Sequence, residues 1–458
     1  MSDYRPTIGL EIHAELKTNT KMFCACRNDA DLKDPNQNIC PVCMAHPGSL
    51  PVINRDAVLK VLCVGQALGA TLADYTEFDR KNYFYPDIPK GYQLSQFAYP
   101  LVSGGILHNV DITRVHLEED TARSQHTAQG DERSLVDYNR AGVPLMELVT
   151  EPVIHSAQDA AAFARELQLL LRTLGAGDAN MEKGEMRVEA NISVSQDETL
   201  GTKVEVKNLN SFRSVERAIA FEVERQVALL ERGEPVSQET RGWDETKQTT
   251  FSQRKKESSH DYRYFPDPDL PKLKLSEIPE FASEVLQKTL PELPWHKRER
   301  LAGLGFLQQQ DIDQLVEDFE LSTLFAETER MLGEPKLLKI ATNFILNDIV
   351  GQKKKDPTWV SPDASFLSEV VRKYDAGTLA SPQAKQALLS KQMSTVLDAA
   401  ELPVIAQKVI DANPAVVTEY KAGKDTVLMF LVGQGMKESK GSANPAALRE
   451  VFIETLSR

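Results

Sequence analysis

Three segments of this chain alternate between apolar and charged residues, and this pattern narrows its possible folds more than any other feature. Residues 8–16 read IGLEIHAEL, residues 186–194 read MRVEANISV, and residues 202–211 read TKVEVKNLNS. Because successive side chains of a strand point to opposite faces, each segment has an apolar back and a charged front. The sequence therefore predicts a sheet that is buried on one face only.

The charged face predicted for this sheet mixes carboxylates, cations and an imidazole. The three segments contribute the following residues to it: Glu11, His13, Glu15, Arg187, Glu189, Asn191, Lys203, Glu205 and Lys207. A solvated sheet face shows the same alternation, but its recurrence in three segments favours a site for magnesium and phosphate. The segment RVHLEEDTARS adds Glu118, Glu119 and Asp120. Alternation alone does not decide which of these carboxylates faces the site.

Four of the five cysteines form two close pairs. Cys24 and Cys26 are separated by one residue, Cys40 and Cys43 by two, and 13 residues lie between the pairs. This spacing suits a tetrahedral zinc ion held by four thiolates, which is a closed and therefore structural site. Four buried thiols without a metal are the alternative. Cys63 stands apart, and we expect reduced thiols because five cysteines do not make a disulfide scaffold in a chain of this length.

Aromatic and basic residues are interspersed in residues 78–96, FDRKNYFYPDIPKGYQLSQ, which include Tyr83, Tyr85 and Tyr92. The same mixture recurs in residues 136–152 and 260–271. An ordinary packed loop can have this composition. Aromatic rings beside cations also stack an exposed terminal base and bind its phosphate, so these segments are candidates for nucleic-acid contacts.

Two helices in the first part of the chain have recognisable ends. One begins after Ser156 and ends at Gly175, and the other begins after Ser211 and ends at Gly233. The residues that we expect the second helix to bury are Val215, Ile219, Val223, Val227 and Leu230. The start of the second helix follows Asn208–Ser211 directly, and free backbone N–H groups there can bind an anion.

The composition changes near residue 280, from mixed strand and helix patterns to an almost purely helical pattern. Prolines stiffen the connection between the two parts. We therefore expect an α+β fold with a sheet-and-helix cradle domain at residues 1–280, an all-helical domain at residues 281–404 and a small helical tail domain at residues 405–458.

The net charge of −14 argues against a protein that coats nucleic acid non-specifically, although local basic patches leave RNA binding open. No apolar run approaches the length needed to cross a bilayer, and the N-terminus lacks a secretory pattern. We expect a cytoplasmic protein that does not cross a membrane.

Together these motifs resemble the B subunit of bacterial tRNA-dependent amidotransferases, the aspartyl/glutamyl-tRNA(Asn/Gln) amidotransferases. The segments that carry the resemblance are IGLEIHAELKT, NICPVCMAHPGSLPVIN, DRKNYFYPDIPKGYQLSQ, VDYNRAGVPLMELVTEP, VEVKNLNSFRSVERAI and HDYRYFPDPDLP. The match is specific over the first 270 residues and looser through the helical region. Residues 430–452 are similar to the helical tail of the family.

The resemblance implies a ligase that uses ATP and Mg²⁺ to activate misacylated Glu-tRNA(Gln) or Asp-tRNA(Asn) and amidates it with ammonia. In the family a separate amidase chain releases the ammonia from glutamine, and a small third chain completes a heterotrimer. The present sequence has no serine-rich tract with a nearby lysine that could serve as an amidase nucleophile. A non-catalytic tRNA-binding adaptor with a structural zinc is the alternative.

The resemblance also implies roles for individual residues. The magnesium ligands would be Glu11, His13 and Glu119; further catalytic carboxylates Glu151 and Glu189; phosphate-binding cations Lys81, Arg140, Arg187 and Lys207; zinc ligands Cys24, Cys26, Cys40 and Cys43; and contacts to the tRNA acceptor end Tyr83, Tyr85 and Tyr92. Lysines expected to contact the tRNA body are Lys385, Lys391, Lys421, Lys424, Lys437 and Lys440. Which cation contacts the γ-phosphate stays open.

Overall fold

The structure is a computed structural model that describes residues 4–126, 134–255, 262–393, 401–439, 443 and 445–457. The chain forms two compact units, residues 1–294 and residues 295–458. Within the described ranges, no helix is both long enough and apolar enough to cross a membrane.

The first unit is built around a mixed sheet. The strands of this unit are β1 (Arg5–Glu15), β2 (Thr71–Leu72), β3 (Tyr75–Thr76), β4 (Asp79–Asn82), β5 (Tyr92–Ser95), β6 (Val102–Ser103), β7 (Ile106–Leu107), β8 (Val110–Glu119), β9 (Arg123–His126), β10 (Ser134–Asp137), β11 (Pro144–Thr150), β12 (Met186–Ser195), β13 (Val204–Leu209), β14 (Glu239–Asp244), β15 (Thr249–Lys255), β16 (Phe265–Pro266) and β17 (Leu273–Lys274). Strands β9 and β10, and likewise β3 and β17, form separate two-stranded sheets. The main sheet has the order β15-β14-β13-β12-β1-β11-β8-β5-β4-β16, and β2, β6 and β7 extend it beside β8. Strands β13 and β14 run parallel, whereas β1 pairs antiparallel with both β11 and β12.

Helices cover the apolar back of this sheet. The helices of the first unit are α1 (Arg55–Ala67), α2 (Ala157–Thr173), α3 (Phe212–Glu231) and α4 (Ser283–Thr289). Helices α2 and α3 pack against each other and against β1 and β12. The back-facing residues Ile8, Leu10 and Ile12 are at most 1% exposed, so β1 buries its apolar side as predicted.

Both helix starts that the sequence predicted are confirmed. The Ser156 side chain accepts the N–H of Asp159 at 3.0 Å and caps α2. The Ser211 side chain accepts the N–H of Ser214 at 3.0 Å and caps α3. Both helices stop where a glycine takes a left-handed conformation, as at Gly233 with φ of 73°.

The buried face of α3 differs from the prediction. Val215 and Ile219 are fully buried, whereas Val223, Val227 and Leu230 are half-buried. Glu222 and Gln226, both 0% exposed, take the central positions instead. Glu222 tolerates burial because its oxygens accept hydrogen bonds from Arg225 at 2.6 Å and Thr250 at 3.0 Å. A buried carboxylate needs such partners, and apolar periodicity does not reveal them.

In the described part of the second unit, all regular secondary structure is helical. Its helices are α5 (Pro294–Ala302), α6 (Gln309–Glu317), α7 (Phe319–Leu332), α8 (Pro335–Asn343), α9 (Val350–Lys355), α10 (Ala364–Asp375), α11 (Ser381–Ser390), α12 (Leu402–Ala412), α13 (Pro414–Lys421), α14 (Leu428–Glu438) and α15 (Pro445–Ser457). One turn of π-helix, Phe344–Ile349, joins α8 to α9. Helices α12, α14 and α15 enclose an apolar core of their own around Leu431, Leu448 and Phe452. A sheet-and-helix unit followed by a helical unit confirms the α+β class.

Candidate active site

The charged front of the sheet carries a row of ionisable side chains that crosses four strands. His13 of β1 lies opposite Arg187 of β12 on one side and opposite Glu147 of β11 on the other. Glu147 in turn lies opposite His116 of β8. Because directly opposite residues of antiparallel strands project from the same face, these four side chains are neighbours.

Carboxylates and imidazoles meet along this row. The group, here called the carboxylate–histidine cluster, consists of Glu11, His13, His116, Glu118 and Glu147. The Nε2 atom of His13 lies 3.4 Å from Glu147 Oε2 and 3.6 Å from Glu118 Oε1. The same nitrogen is 3.9 Å from Glu11 Oε1. His116 Nε2 approaches Glu147 Oε2 to 3.3 Å from the other side, so Glu147 lies between two imidazoles.

The cluster is electrostatically crowded. Burial opposes ionisation of Glu147, but His116 and His13 hold its pKa well below the usual range. Burial would lower the pKa of His13, and the hydrogen bond and charge of Glu147 outweigh it and raise that pKa to about 9. Burial and the charge of Glu147 raise the pKa of Glu118 and bring that of Glu11 to about 7. Protons therefore remain on this cluster near neutral pH, because burial and mutual repulsion disfavour ionised Glu11 and Glu118 while Glu147 favours protonated His13.

A divalent cation would relieve this repulsion, and the cluster has the shape to hold one. The candidate ligand atoms of Glu11, His13 and Glu147 lie within 4.8 Å of one another, and so do those of His116, Glu118 and Glu147. Magnesium prefers oxygen ligands, and the three carboxylates supply them. An imidazole is a less usual ligand for so hard an ion. The residues present therefore fit Mg²⁺ chiefly through their carboxylates.

Consecutive residues of β8 serve opposite faces of the sheet. Glu118 belongs to the cluster, whereas Glu119, which the family resemblance assigned to magnesium, is not brought to His13. The Glu119 side chain accepts the N–H of Leu94 at 2.9 Å and forms an ion pair with Lys90. It lines a cavity of about 190 Å³ together with Cys43 and Lys90. Side-chain alternation explains the difference, since neighbours on a strand cannot share a face.

The other two predicted carboxylates have different positions. Glu189 lies opposite Glu11 in the register, and ligand atoms of Glu11, Glu189 and Glu205 also lie within 4.8 Å of one another. Glu151 follows the end of β11 and accepts a hydrogen bond from the hydroxyl of Thr113 at 2.7 Å. The structure thus brings Glu189 beside the cluster and does not bring Glu151 there.

Two of the predicted phosphate-binding lysines border the cluster. Lys207 Nζ lies 2.6 Å from Glu189 Oε2. Burial would lower the pKa of Lys81, but the charge of Glu118 and its neighbours raises it above the usual range. Lys81 Nζ also lies 4.9 Å from the ring centroid of Tyr262. Both ammonium groups therefore stay charged beside the carboxylates.

The two predicted arginines converge on a buried carboxylate. Asp120 is 4% exposed and forms an ion pair with Arg187. Arg140 Nε lies 3.5 Å from the same Asp120 oxygen and donates to the carbonyl of Thr121 at 3.1 Å. Burial opposes ionisation of Asp120, but these two cations lower its pKa below the ordinary value. Asp120 thus holds both guanidinium groups next to the row that contains His13.

The three predicted tyrosines do not form one surface. Tyr83 belongs to an aromatic group around Lys81, with its ring centroid 6.0 Å from that of Tyr262. Tyr85 is 51% exposed and lies beside Tyr83 at 5.9 Å. Tyr92 instead packs under a guanidinium, with Arg80 4.3 Å from its ring centroid. Tyr83 is therefore the one of the three that contacts Lys81, at 5.8 Å from its ring centroid.

The four paired cysteines do come together. The sulfurs of Cys24, Cys26, Cys40 and Cys43 all lie within 4.8 Å of one another, and none forms a disulfide. A hydrogen bond from Cys24 is the main cause that lowers the pKa of Cys43 to about 5. Four converging thiols of this kind fit a tetrahedral zinc ion. Cys63 lies apart, on α1.

Some residues of the site, namely Glu147, His116 and Tyr262, were not identified from the sequence, and the choice between Glu118 and Glu119 was left open. Glu147 lies within PLMELVT, where a carboxylate interrupts an apolar run, and that interruption was the available signal. His116 and Glu118 alternate with Val115 and Leu117, which are 0% exposed. The burial of Val115 and Leu117, which the structure supplies, assigns Glu118 and not Glu119 to the charged face. For Tyr262, the available signal was the mixture of aromatic and charged residues around it.

Two models of known protein families match this chain. Residues 6–279 match the GatB/GatE catalytic domain. Residues 324–456 match the GatB domain. Since the first match alone spans more than half of the chain, residues 6–279 form a GatB/GatE catalytic domain.

Curated relatives extend the similarity over the whole chain. The B subunit of the aspartyl/glutamyl-tRNA(Asn/Gln) amidotransferase of Dehalococcoides mccartyi is 42% identical, with 100% of this chain and 99% of the relative covered. The protein of the same name from Crocosphaera subtropica is 40% identical, with 100% and 98% covered. That from Carboxydothermus hydrogenoformans is 38% identical, with 100% of both covered. The chain belongs to the family of aspartyl/glutamyl-tRNA(Asn/Gln) amidotransferase B subunits, which confirms the resemblance found in its motifs.

Proposed function

We propose that this chain uses ATP to activate the side-chain carboxylate of Glu-tRNA(Gln) or Asp-tRNA(Asn) and converts it to the amide with ammonia. The observation that carries the proposal is the carboxylate–histidine cluster with Lys81, Lys207 and Arg187 at its border. Family membership supports it, because the matched relatives are amidotransferase subunits. The activity is that of a carbon–nitrogen ligase with glutamine as amido donor.

The reaction needs two displacements, because a free carboxylate is a poor acyl donor. First, an oxygen of the substrate carboxylate attacks the γ-phosphorus of ATP, and ADP leaves. Ammonia then attacks the acyl carbon of the resulting acyl phosphate, inorganic phosphate leaves, and the amide nitrogen loses its extra proton. Phosphoryl transfer of this kind depends on positioning and on positive charge around the transferred group. We assign that charge to Lys81, Lys207 and the Arg187–Arg140 pair.

Magnesium is the cation that we assign to the cluster, with Glu11, Glu118 and Glu147 as the main oxygen donors. When bound, such an ion neutralises phosphate charge and orients the γ-phosphoryl group. The neighbouring residues prepare the site for it. Asp120 keeps Arg187 and Arg140 beside the cluster, and His116 and His13 keep Glu147 ionised.

Zinc is the metal that we assign to Cys24, Cys26, Cys40 and Cys43. Four thiolates leave no open coordination position, so its role is to fix the loop and not to react. The loop between the cysteine pairs is also held by Lys21, which is 0% exposed and donates to the carbonyl of Asn38 at 2.8 Å.

The assembly that we propose is a heterotrimer of this chain with a glutamine-hydrolysing amidase chain and a small third chain, active on tRNA in the cytoplasm. Residues 1–280 would be the catalytic domain, residues 281–404 the helical domain and residues 405–458 a tRNA-binding tail. The tail core formed by α12, α14 and α15 supports a separate tail. The predicted contact Lys440 lies outside the described residues.

A non-catalytic adaptor is less favoured, because the matched family is a catalytic domain and the cluster is far more acidic than tRNA binding requires. The test is amidation by the complex with Mg-ATP, glutamine and each misacylated tRNA. Glu11→Ala should abolish amide formation while glutamine hydrolysis by the partner continues. Glu231→Gln, an exposed carboxylate at the end of α3, is the matched control and should retain full activity. Full amidation by Glu11→Ala would show that the cluster takes no part in the reaction.

A further inference from the structure

Two aromatic rings stack face to face at one edge of the main sheet. Phe97, in the loop after β5, and Tyr264, directly before β16, have ring centroids 4.0 Å apart and planes inclined by only 9°. Tyr264 is half-buried, whereas Phe97 remains 51% exposed. These two residues, here called the ring pair, therefore present an aromatic surface to solvent.

The backbone beside both rings of the pair is held by one residue, Asp79. Asp79 of β4 is 3% exposed, and its Oδ2 accepts the N–H groups of Phe97 at 3.0 Å and Ala98 at 3.1 Å. The backbone of Asp79 also pairs with Pro266 of β16, two residues after Tyr264. A ring that is already immobilised loses little entropy when a ligand stacks on it.

The segments on either side of the ring pair are anchored as firmly. Gln96 is 0% exposed, donates to the Thr76 hydroxyl at 2.7 Å and accepts the N–H of Leu117 at 3.0 Å. Arg80 Nε donates to Asp267 at 2.6 Å and holds the residues after β16 against β4. Buried polar groups with complete hydrogen bonding specify a single backbone position, so the exposed ring is presented in a defined place.

The ring pair is adjacent to the Lys81 side of the active site. Burial is the main cause that raises the pKa of Tyr264 to about 12, and the charges of Glu118 and Glu147 add to it while Lys81 opposes it. The Tyr264 hydroxyl is thus within electrostatic reach of the cluster. Tyr262 links the two regions, since its ring contacts that of Tyr264 at 6.1 Å and lies under Lys81.

We propose that the ring pair is an adenine-binding subsite of this active site, in which the open face of Phe97 stacks the base of an adenosine. The proposal rests on the proposed function, because both reactants bring an adenosine to the cluster: ATP, and the terminal nucleotide of the tRNA that carries the acyl group. A phenyl ring has no hydrogen-bonding groups, so the subsite selects a flat base and not its identity. Lys81 and the cluster then act on the phosphate or acyl end of the same ligand.

The test uses Phe97→Leu, which keeps an apolar side chain but removes the flat face. Binding to the full chain is measured for Mg-ATP and for magnesium tripolyphosphate, which has no base. A second pair of probes is uncharged tRNA with and without its terminal adenosine. We expect about tenfold weaker binding of the adenosine-containing member of at least one pair, which corresponds to about 1.4 kcal/mol, and unchanged binding of the member without it. Phe97→Trp should restore affinity.

The two pairs of probes distinguish the source of the base. Loss confined to ATP assigns the subsite to the nucleotide, and loss confined to intact tRNA assigns it to the terminal adenosine. Phe251→Leu, on β15 at the opposite edge of the sheet and 46% exposed, is the control and should change neither. If Phe97→Leu weakens both members of each pair equally, or neither, the subsite is refuted while the proposed function stands. A wild-type chain that binds neither ATP nor tRNA would refute both.

Discussion

Replacing Glu147 with Gln tests the electrostatics of the cluster directly. Glu147 Oε2 lies 3.4 Å from His13 Nε2, and a charge pair at that distance is worth about 5 kcal/mol at an effective dielectric constant of about 20. The pKa of His13 is raised to about 9, against about 6.5 for an unperturbed histidine. That difference corresponds to about 3 kcal/mol, of the same order. Without the Glu147 carboxylate, burial still lowers the pKa of His13 and only the charges of Glu118 and Glu11 oppose it, so that pKa should fall well below 9.

The assay is an NMR titration of metal-free protein with labelled histidine, in which the chain's eight histidines give few signals. His13→Asn identifies the signal, and Glu231→Gln is the control. Because the folded-state pKa is the higher one, the stabilisation is fully present below pH 6.5 and is lost as pH rises towards 9. Glu147→Gln should therefore lose stability most at pH 6. A His13 signal that titrates near 6.5 in the wild-type protein, or that Glu147→Gln leaves unchanged, would refute the reasoning.

Three further predictions concern the metals and the tail. Protein purified without chelator should contain one zinc ion per molecule. Cys40→Ser should lose the zinc and unfold at a lower temperature, whereas the control Cys63→Ser should keep it. Elemental analysis and thermal melting measure both effects. Because the pKa of Glu11 is raised to about 7, a proton competes with Mg²⁺ below that pH. Calorimetry should thus show Mg²⁺ affinity that falls by up to about tenfold per pH unit below pH 7; affinity independent of pH would contradict this. Deleting residues 405–458 should weaken tRNA binding and flatten its salt dependence without loss of zinc, since fewer phosphates are contacted. Equal salt slopes for both forms would instead make the tail a protein-contact element.

The half-buried sheet could be predicted because its signal is local. In β1 the alternation between Ile8, Leu10, Ile12 and the charged residues is complete, and the structure buries the apolar side. The helix ends at Ser156 and Ser211 were predictable for the same reason, since a capping side chain acts within three residues. The sulfur cluster also followed from spacing alone.

The composition of the cluster could not be predicted in full, because it depends on pairing between distant strands. His13 meets Glu147 only through the β1–β11 register, more than 130 residues apart in sequence. The burial of Glu222 likewise depends on its hydrogen bond from Thr250, which lies on another element. Apolar periodicity treats such a carboxylate as a surface residue, whereas partners supplied by the fold make its burial tolerable.

The adjacency of Glu118 and Glu119 on β8 constrains how the length of this chain can change. The two carboxylates serve opposite faces, one in the cluster and the other in the cavity beside Lys90 and Cys43. Inserting or deleting one residue within β8 would exchange the two faces for every side chain beyond that point. Such a change keeps composition and net charge almost constant, but it would disrupt the cluster and the cavity at the same time. Gains and losses of single residues should therefore accumulate in the loops of the sheet and be excluded from β8, even where substitutions in that strand are tolerated.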